Sequence, residues 1–318
     1  MDGVEIVAGA DPSEAARDRF ESGYGATAYP DHETLLAEED DLDVVNVVSP
    51  HAVHFEQTTA ALDAGLSVHV EKPIVTGVDD AVALTEAVAG RSAVVQVGYQ
   101  RHFDPRFQRI REIVDGRIGE LGGVNCFLEQ DWIDGQTGTW RTDPDLSGGG
   151  QLYDSGSHLL DALLWTTDAV PQSVSADIEY DAPGVDVHSS LSVALDRDGQ
   201  HVPASVFVTG DGQTGPETRE GLYFWGSEGS AEFTDDGLVV RHGGEVEHLD
   251  VSSPGFEALT ERKLGAFLDA AAGERENPVP PTTGLEVIGL TEAAYLADER
   301  GERVDVRALI DEVREGLQ

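Results

Sequence analysis

The chain has 318 residues, 40% of them hydrophobic, which suffices for two domains or for one large α/β domain. Acidic side chains outnumber basic ones by 61 to 20, and the formal net charge of −41 argues against nucleic acids and anionic membrane surfaces as partners. No apolar run reaches the ~18 residues of a membrane span, and Met1 is followed by Asp2 rather than by basic residues, so a soluble cytoplasmic protein is expected.

The acidic excess is spread along the chain, as in residues 38–41, 79–80 and 235–236. In dilute buffer such self-repulsion destabilises the compact state, whereas at molar salt the screening length falls to about 3 Å. The composition therefore indicates adaptation to a salty cytosol, with an acidic partner-binding surface as the alternative. The single cysteine, Cys126, excludes an intrachain disulfide and is expected to be a packed thiol in a strand.

The first third of the chain alternates short apolar runs with helical patterns, which predicts a doubly wound α/β unit with a parallel sheet. Strands are predicted over residues 4–10, 44–48, 66–70 and 93–99, and helices over residues 11–20, 51–64 and 79–89. Because the run 44–48 is nearly all apolar, it is expected to be buried on both faces of the sheet.

After Pro105 the pattern changes. A helix is predicted over residues 105–114, a long strand over 122–132, and a glycine-rich loop over 147–150 that leads into a helix. Residues 170–251 are β-rich with turn signals, which predicts a large, open, mainly antiparallel sheet, and helices return over 256–272 and 284–299. The sequence thus predicts an α/β domain of residues 1–102 and an α+β domain of residues 103–318, whose C-terminal helices pack back toward the first.

A parallel α/β unit raises the question of a dinucleotide site, which needs a strand, the pattern G-x-G-x-x-G and a helix N-terminus. That pattern occurs at residues 210–215, but it lies far from the βαβ region and leads into a strand-like segment, so a hairpin turn is predicted there. Asp11 ends a predicted strand, at the position where dinucleotide-binding proteins hold the hydroxyls of the adenine ribose. An acid at this position favours NAD over NADP. A role as the helix N-cap before Pro12 explains Asp11 equally well. The matching glycine loop would lie about 20 residues upstream of Asp11, so the first βα unit is expected to be missing, through the choice of Met1 as the start or through loss of the pyrophosphate site.

Lys72 follows the strand at 66–70 in the step Glu71-Lys72-Pro73 and is one of only two lysines. Arginine stays protonated and cannot transfer a proton, so a lysine kept at this strand end indicates that its amine is used. A structural cation paired with Glu71 is the alternative.

Asp154 and His158 are four residues apart and would share one helix face, with Asp161 three residues further on. A carboxylate beside an imidazole supports its protonated form and fixes its orientation, which suits general acid/base catalysis. A salt-bridged surface helix is the alternative. A metal pair is disfavoured because no third ligand is evident, so no metal is predicted.

Together these segments resemble the glucose–fructose oxidoreductase, inositol dehydrogenase and MocA family of NAD(P)-dependent oxidoreductases, and the resemblance covers essentially the whole chain. The matching signals are Ser49-Pro50-His51 with His54, Glu71-Lys72-Pro73, residues 98–105, Trp140-Arg141, the glycines 148–150, Asp154-x-Gly156-x-His158 with Asp161, and residues 278–290. The departure from the family's pattern is the absent first strand, glycine loop and helix, the segment that would hold the pyrophosphate.

The resemblance implies that Lys72 lies between nicotinamide and substrate, that His158 is the general base, and that Asp154 binds substrate and biases His158. It implies a cis Lys72–Pro73 bond and a homodimer or homotetramer formed through the open sheet. The NAD-binding residues that the resemblance implies are Ser49, Pro50, His54, Glu71 and Lys72, with Glu71 at the nicotinamide ribose; Asp11 is added from its position at the strand end. The implied substrate contacts are Arg101, Trp140, Arg141, Asp154 and His158, with packing an equal alternative for Trp140.

The resulting hypothesis is oxidation of a sugar, polyol or related hydroxy compound with NAD, NADP being disfavoured. Two other functions stay open. The same family includes NAD-dependent glycoside hydrolases that oxidise the sugar transiently, and a chain that holds no cofactor could be a carbohydrate-binding remnant.

Overall fold

The computed structural model describes residues 3–212, 218–234 and 237–317. Its N-terminal part carries five short strands, β1 (Ala8–Ala10), β2 (Thr27–Tyr29), β3 (Val44–Val47), β4 (Ser67–Val70) and β5 (Val95–Val97). Four helices separate them, α1 (Glu14–Tyr24), α2 (His32–Glu38), α3 (His54–Asp63) and α4 (Val78–Val88). All strand pairs here are parallel, which confirms the α/β prediction; β2 and α2 had not been predicted.

The five strands form two sheets, with β1 beside β2 and with β4 between β3 and β5. The central strand β4 is buried at every residue because it has a partner on each side. The prediction that residues 44–48 are buried on both faces is wrong: Asn46 is exposed and, of the four strand residues, only Val47 is buried. The physical reason is that β3 is the edge of its sheet, pairing among the described residues with β4 alone.

The rest of the chain builds a nine-stranded sheet in the order β13-β12-β11-β10-β6-β9-β8-β7-β14. Helix α5 (Pro105–Gly116) precedes β6 (Leu121–Glu129), and α6 (Trp132–Gln136), α7 (Pro144–Ser147) and α8 (Ser157–Thr167) follow it. The remaining strands are β7 (Val170–Ala182), β8 (Val185–Arg197), β9 (Gln200–Thr209), β10 (Arg219–Gly226), β11 (Gly229–Thr234), β12 (Gly237–His242), β13 (Glu245–Leu249) and β14 (Val304–Asp305). The C-terminal helices are α9 (Phe256–Ala271), α10 (Pro281–Arg300) and α11 (Val306–Gly316).

This sheet is mainly antiparallel, as predicted; the pair β6 and β9 is parallel. Its two faces differ because side chains alternate along a strand. In β9, Val206 and Val208 point into the core, while Ser205 and Phe207 are exposed on the outer face. The core therefore lies between the inner face and the helices α5, α8 and α10.

The C-terminal helices also contact the parallel strands. Lys263 of α9 forms an ion pair with Glu71 after β4, and Gly284 of α10 lies against Ile74. The boundary at residues 102 and 103 stays a prediction; the turn Gln100–Phe103 connects β5 to α5 there.

The glycine pattern at residues 210–215 begins in a turn after β9. The Gly210 carbonyl accepts hydrogen bonds from the backbone N–H groups of Trp132 and Ile133, so this turn is tied to the start of α6. The predicted strand-like segment at residues 215–217 and the acidic pair at 235–236 lie outside the described residues. No helix in the described part of the chain combines the length and apolar character needed to cross a membrane.

Candidate active site

Lys72 lies at the carboxyl end of β4, and its bond to Pro73 is cis. Its ammonium group donates hydrogen bonds to the Oδ1 atom and to the backbone carbonyl of Asp154, at 2.7 and 2.9 Å. The alternative that Lys72 is paired with Glu71 is wrong, because Glu71 is paired with Lys263. Both lysines of the chain thus lie at one strand end, each with its own carboxylate.

Asp154 lies in a five-residue π-helical turn, Leu152–Gly156, directly before α8. Its Oδ1 atom accepts from Lys72, and its Oδ2 atom accepts from the Trp132 indole at 2.9 Å and lies 3.2 Å from Nε of Arg141. Burial alone would raise the pKa of Asp154, but the charge and hydrogen bond of Lys72, with help from Trp132 and Arg141, hold it well below its usual range. Asp154 is therefore ionised.

His158 lies in the first turn of α8, with its ring edge-on to Tyr99 at 6.2 Å between centroids. Burial, followed by the charges of Lys72 and Arg101, lowers the pKa of His158 well below 6.5, and Asp154 opposes this only in part. Asp154 by itself supports the protonated ring, as expected, but burial and the nearby cations outweigh it, so the imidazole is neutral near neutral pH. That state can accept a proton.

Within the described residues, Asp154 and His158 share no hydrogen bond. The reason is local: Asp154 belongs to the π-helical turn, so the geometry of a regular helix does not apply between the two residues. Asp161 faces elsewhere, since its Oδ1 atom lies 2.9 Å from Nε2 of buried His102, which stacks on Trp165. Asp154 and His158 therefore face one pocket, whereas Asp161 does not share that face.

The three candidate catalytic side chains line one pocket of about 480 Å³. Arg101 and Arg141, both predicted from sequence, also line it. The remaining lining residues are Leu128, Gln130, Asp131, Trp132, Gln136, Ser155 and Thr218. Trp132 was not predicted, although an indole directly after a strand is a signal that could have been followed.

Trp140 does not line this pocket. Its ring packs edge-on against buried His51 at 4.7 Å, and the Nδ1 atom of His51 lies 2.8 Å from the Ser147 carbonyl. Burial lowers the pKa of His51 to about 3, so this ring is neutral. The geometry thus agrees with the alternative that Trp140 has a packing role. The guanidinium carbon of Arg141, which does line the pocket, lies 4.4 Å from the centre of the Trp140 ring.

The predicted cofactor residues His54 and Ser49 lie near the turn after Lys72. The two ring nitrogens of His54 lie 2.9 Å from the carbonyls of Pro73 and Ser49, and the side chain is fully buried. Because burial lowers its pKa, the ring is neutral and donates to one carbonyl at a time. His54 thus connects the ends of β3 and β4. Ser49 Oγ donates to Gln57, and Pro50 precedes the turn His51–Val53.

Asp11 follows β1. Its Oδ1 atom accepts from the backbone N–H of Ser13 at 2.8 Å, and its carbonyl accepts from Arg17. The alternative that Asp11 is the N-cap of the helix is wrong, because the N-cap of α1 is Ser13. The carboxylate shapes the turn between β1 and α1 and is not enclosed.

Asp186, at the start of β8, holds the segment that carries Asp154. It is fully buried, and its carboxylate accepts hydrogen bonds from the N–H groups of Gly150 and Leu152, at 2.8 and 2.7 Å, and from the Tyr295 hydroxyl at 2.5 Å. A Cβ atom at Gly150 would overlap the Asp186 backbone, so glycine is required there. Sequence reasoning missed Asp186, although an acid between two core valines is a usable signal.

The carboxyl ends of β3, β4 and β5 meet beside the pocket. Ligands of open α/β sheets bind at this edge. Ser49, Pro50, Glu71 and Lys72 all lie there, so the residues present fit a nicotinamide and its ribose. In the described residues, no G-x-G-x-x-G turn joins a parallel strand to a helix.

Fold and pocket together define a two-domain α/β protein with a polar pocket at the strand ends, a class that includes dinucleotide-dependent oxidoreductases. Residues 1–99 match the family described as "Oxidoreductase family, NAD-binding Rossmann fold", and residues 107–232 match the GFO/IDH/MocA C-terminal domain. The chain therefore belongs to the GFO/IDH/MocA family of oxidoreductases.

Two curated relatives align over most of the chain. Inositol 2-dehydrogenase of Mycolicibacterium gilvum is 27% identical over 91% of this chain and 81% of the relative. D-xylose 1-dehydrogenase [NADP(+)] of Haloarcula marismortui is 27% identical over 83% of this chain and 74% of the relative. With three other relatives the chain spans only 40%, 46% and 49% of their length.

Among solved structures, an oxidoreductase domain protein from Kribbella flavida has a TM-score of 0.85 at 24% identity, covering 95% of this chain and 90% of that one. At this identity the likeness shows the fold.

Proposed function

We propose that this protein transfers a hydride between a hydroxyl carbon of a sugar, polyol or related hydroxy compound and a nicotinamide cofactor. The observation that carries the proposal is the arrangement of Lys72, Asp154 and His158 around one pocket beside the carboxyl ends of the parallel strands. The names of the inositol and xylose dehydrogenase relatives support this class of substrate.

In the proposed reaction, the substrate hydroxyl loses its proton and its carbon loses a hydride, which leaves a carbonyl. The bound nicotinamide ring supplies the hydride acceptor. Neutral His158 takes the hydroxyl proton, since its depressed pKa keeps a ring nitrogen unprotonated. Lys72 donates to the substrate oxygen and stabilises the negative charge that develops there, and Asp154 fixes the ammonium group in place.

We propose NAD as the cofactor, held by Ser49, Pro50 and Glu71 at the nicotinamide end. Asp11 supports NAD because a carboxylate at the ribose disfavours a 2′-phosphate. NADP is the competing cofactor, and a relative named as NADP-dependent makes the comparison worthwhile. Titration of each dinucleotide by calorimetry at molar KCl tests the preference; tighter binding of NADP would reject it.

The test of the reaction is a screen of inositol, D-xylose and related compounds with NAD, followed by Lys72→Met and His158→Ala. We expect each variant to lower kcat by ~10²–10⁴-fold, the range for a lost proton-transfer group. Arg109→Met removes a surface charge on α5 and serves as the control. Near-normal turnover in either variant, with an unchanged circular dichroism spectrum, rejects the role of that residue.

The same screen separates the other functions. Release of free sugar from a glycoside without net NADH would identify a glycoside hydrolase. Absence of dinucleotide binding by calorimetry at molar salt would identify a carbohydrate-binding protein without cofactor.

We propose further that the outer face of the nine-stranded sheet packs against a second copy of the chain. Phe207 is 45% and Trp225 50% exposed there, and between them runs an uncharged row in which Asn125, Ser205 and Ser192 are neighbours in register. Charged side chains lie toward the ends of this row, with Glu232 at one end and Asp177 and Arg303 at the other, so its middle is uncharged in a chain with 61 acidic residues. Light scattering at molar KCl tests this: a dimer or tetramer is expected, and Phe207→Glu should dissociate it, whereas a monomeric wild type would reject it.

A further inference from the structure

We propose that the substrate of this pocket is a sugar acid, whose carboxylate binds Arg141 while its reacting hydroxyl lies at Lys72 and His158. The identity of the reacting hydroxyl rests on the proposed function; the recognition of the carboxylate rests on the pocket itself. The carrying observation is an imbalance between hydrogen-bond donors and acceptors along the pocket wall.

Arg141 supplies unused donors. Its Nε atom lies 3.2 Å from Asp154, and its guanidinium carbon lies 4.4 Å from the centre of the Trp140 ring. The two terminal nitrogens make no hydrogen bond or ion pair with any other residue in the described part of the chain. With its side chain 37% exposed, the guanidinium is held in one plane and presents a fork to the pocket.

Arg101 adds positive charge to the same wall. One of its terminal nitrogens is paired with Glu220, and the guanidinium carbon lies 5.3 Å from the Phe107 ring centre. The other terminal nitrogen is buried and has no hydrogen-bond partner among the described residues. The charge of Arg101 is offset in part by Glu220, so Arg141 makes the contact with the anion.

The acceptors of Asp154 and Gln130 on this wall are largely used. Asp154 already accepts from Lys72 and Trp132 and is paired with Arg141. Gln130 accepts from Gln151 through its carbonyl oxygen and donates to Thr218 through its amide nitrogen. The other carboxylate in the lining, Asp131, is exposed to solvent.

A neutral polyol both donates and accepts, so a pocket built for one needs free acceptors. A carboxylate only accepts, and its two oxygens match the two parallel N–H groups of a guanidinium. The donor-rich wall at Arg141 therefore fits a uronic or aldonic acid better than the corresponding neutral sugar.

The acidic surface of the chain does not contradict an anionic substrate. In dilute buffer the net charge of −41 would repel a carboxylate at long range. At molar salt the screening length is about 3 Å, so contacts within the pocket decide the affinity. The inference should be tested at molar KCl for this reason.

The experiment is calorimetric titration of matched pairs, D-glucuronate with D-glucose, D-galacturonate with D-galactose, and D-xylonate with D-xylose, with and without NAD. We expect the acid of at least one pair to bind ~10-fold tighter or more, as a charge-assisted bidentate contact gives. Arg141→Gln should remove this preference. Arg141→Lys should keep only part of it, because an ammonium group lacks the fork.

Arg109→Gln, which removes one charge from the surface of α5, is the control and should keep the full preference. Equal binding within every pair, absent binding of all six compounds, or a preference that survives Arg141→Gln would overturn the inference. A preference for the acid without any NADH formation would leave this inference standing and reject the proposed oxidation. NADH formation from neutral sugars alone, with equal binding within each pair, would reject this inference only.

Discussion

Lys72 and Lys263 have different carboxylate partners at one strand end. Lys72 is paired with Asp154 across the pocket, whereas Lys263 is 3% exposed and paired with Glu71 beneath it. The sequence singled out Lys72 through the rarity of lysine, but it gave no reason to place Lys263 nearby. A contact between residues far apart in the chain is set by packing, which no local pattern encodes.

The charge of Lys72 should be measurable at His158. In the wild type we expect the His158 ring to stay neutral well below pH 6.5, because burial, Lys72 and Arg101 lower its pKa. Lys72→Met removes one of these charges, so the pKa of His158 should rise toward its ordinary value. Proton NMR titration of the imidazole resonances, assigned with His158→Gln, measures both values.

Arg109→Met is the control for the loss of a distant charge and should leave the His158 titration unchanged. A wild-type His158 that titrates near pH 6.5, or a titration that Lys72→Met does not move, would contradict the arrangement described. Because its pKa is low, His158 is already unprotonated at every pH above 6.5. Protonation of His158 should therefore cause no fall in kcat/KM when the pH is lowered from 8 to 6.5.

At the scale of elements, period and turn signals predicted the strands β3, β4 and β5 and the helices α5, α9 and α10 to within a few residues. Helix α11 was missed, although Val306 and Ile310 lie on one face with Val313, a readable helical spacing. The π-helical turn at Asp154 could not have been predicted from the local sequence. It depends on Asp186, whose hydrogen bonds reach across 34 and 36 residues to Leu152 and Gly150.

Asp186 should therefore matter for the whole segment before α8. Asp186→Ala leaves two buried N–H groups and the Tyr295 hydroxyl without their acceptor, each costing about 1–3 kcal/mol. We expect the free energy of unfolding to fall by roughly 3 kcal/mol or more. Urea unfolding at molar KCl measures it, and Asp181→Ala, at an exposed position near the end of β7, is the matched control. Equal losses in the two variants would show that Asp186 does not hold this segment.

At the scale of the whole molecule, the α/β class, the open antiparallel sheet and the convergence of Lys72, Asp154 and His158 were predictable. Their motifs are local, and the ends of parallel strands meet at one edge. The exposure of β3 and the neutral state of His158 could not be predicted, because both depend on neighbours that are distant in sequence. A count of nearby charges from sequence included Asp154 but could not include burial.

Buried neutral histidines should make the molecule sensitive to mild acid. Burial, with Lys72 or Lys263 nearby, lowers the pKa of His51 to about 3 and of His69 to about 4. In the unfolded chain both have a pKa of about 6.5, so below that pH the unfolded state binds more protons and stability falls. At pH 5 each histidine should cost about 2 kcal/mol relative to pH 8.

Urea unfolding at the two pH values tests this loss. His69→Gln should remove about 2 kcal/mol of the loss between pH 8 and pH 5, because glutamine does not titrate. His242→Gln, at an exposed position of β12, is the control and should keep it. The pKa values of Asp186 and Glu292 are raised by burial and act in the opposite direction, so the comparison of variants is the decisive measurement. A pH dependence that is the same in His69→Gln and the wild type would contradict the assignment.

The net charge of −41 predicts that stability rises with salt. Between about 0.1 M and molar KCl the screening length falls from about 10 Å to about 3 Å, which removes most repulsion between exposed carboxylates. Exposed ion pairs such as Arg109 with Glu112 weaken as well, but each is worth at most about 1 kcal/mol. We therefore expect the midpoint of thermal unfolding to increase over this range.

Two sets of variants show whether charge is the cause. Replacing the exposed acids Glu38, Asp40 and Asp41 by their amides should raise the midpoint at low salt and flatten the salt dependence. Arg109→Gln makes the chain more negative and should steepen it, so the two changes have opposite signs. If salt also stabilises the fold by strengthening apolar burial, that effect should be equal in all variants, because it does not depend on their charge. A midpoint that does not rise with KCl, or a slope that none of these variants changes, would show that the acidic surface has another purpose.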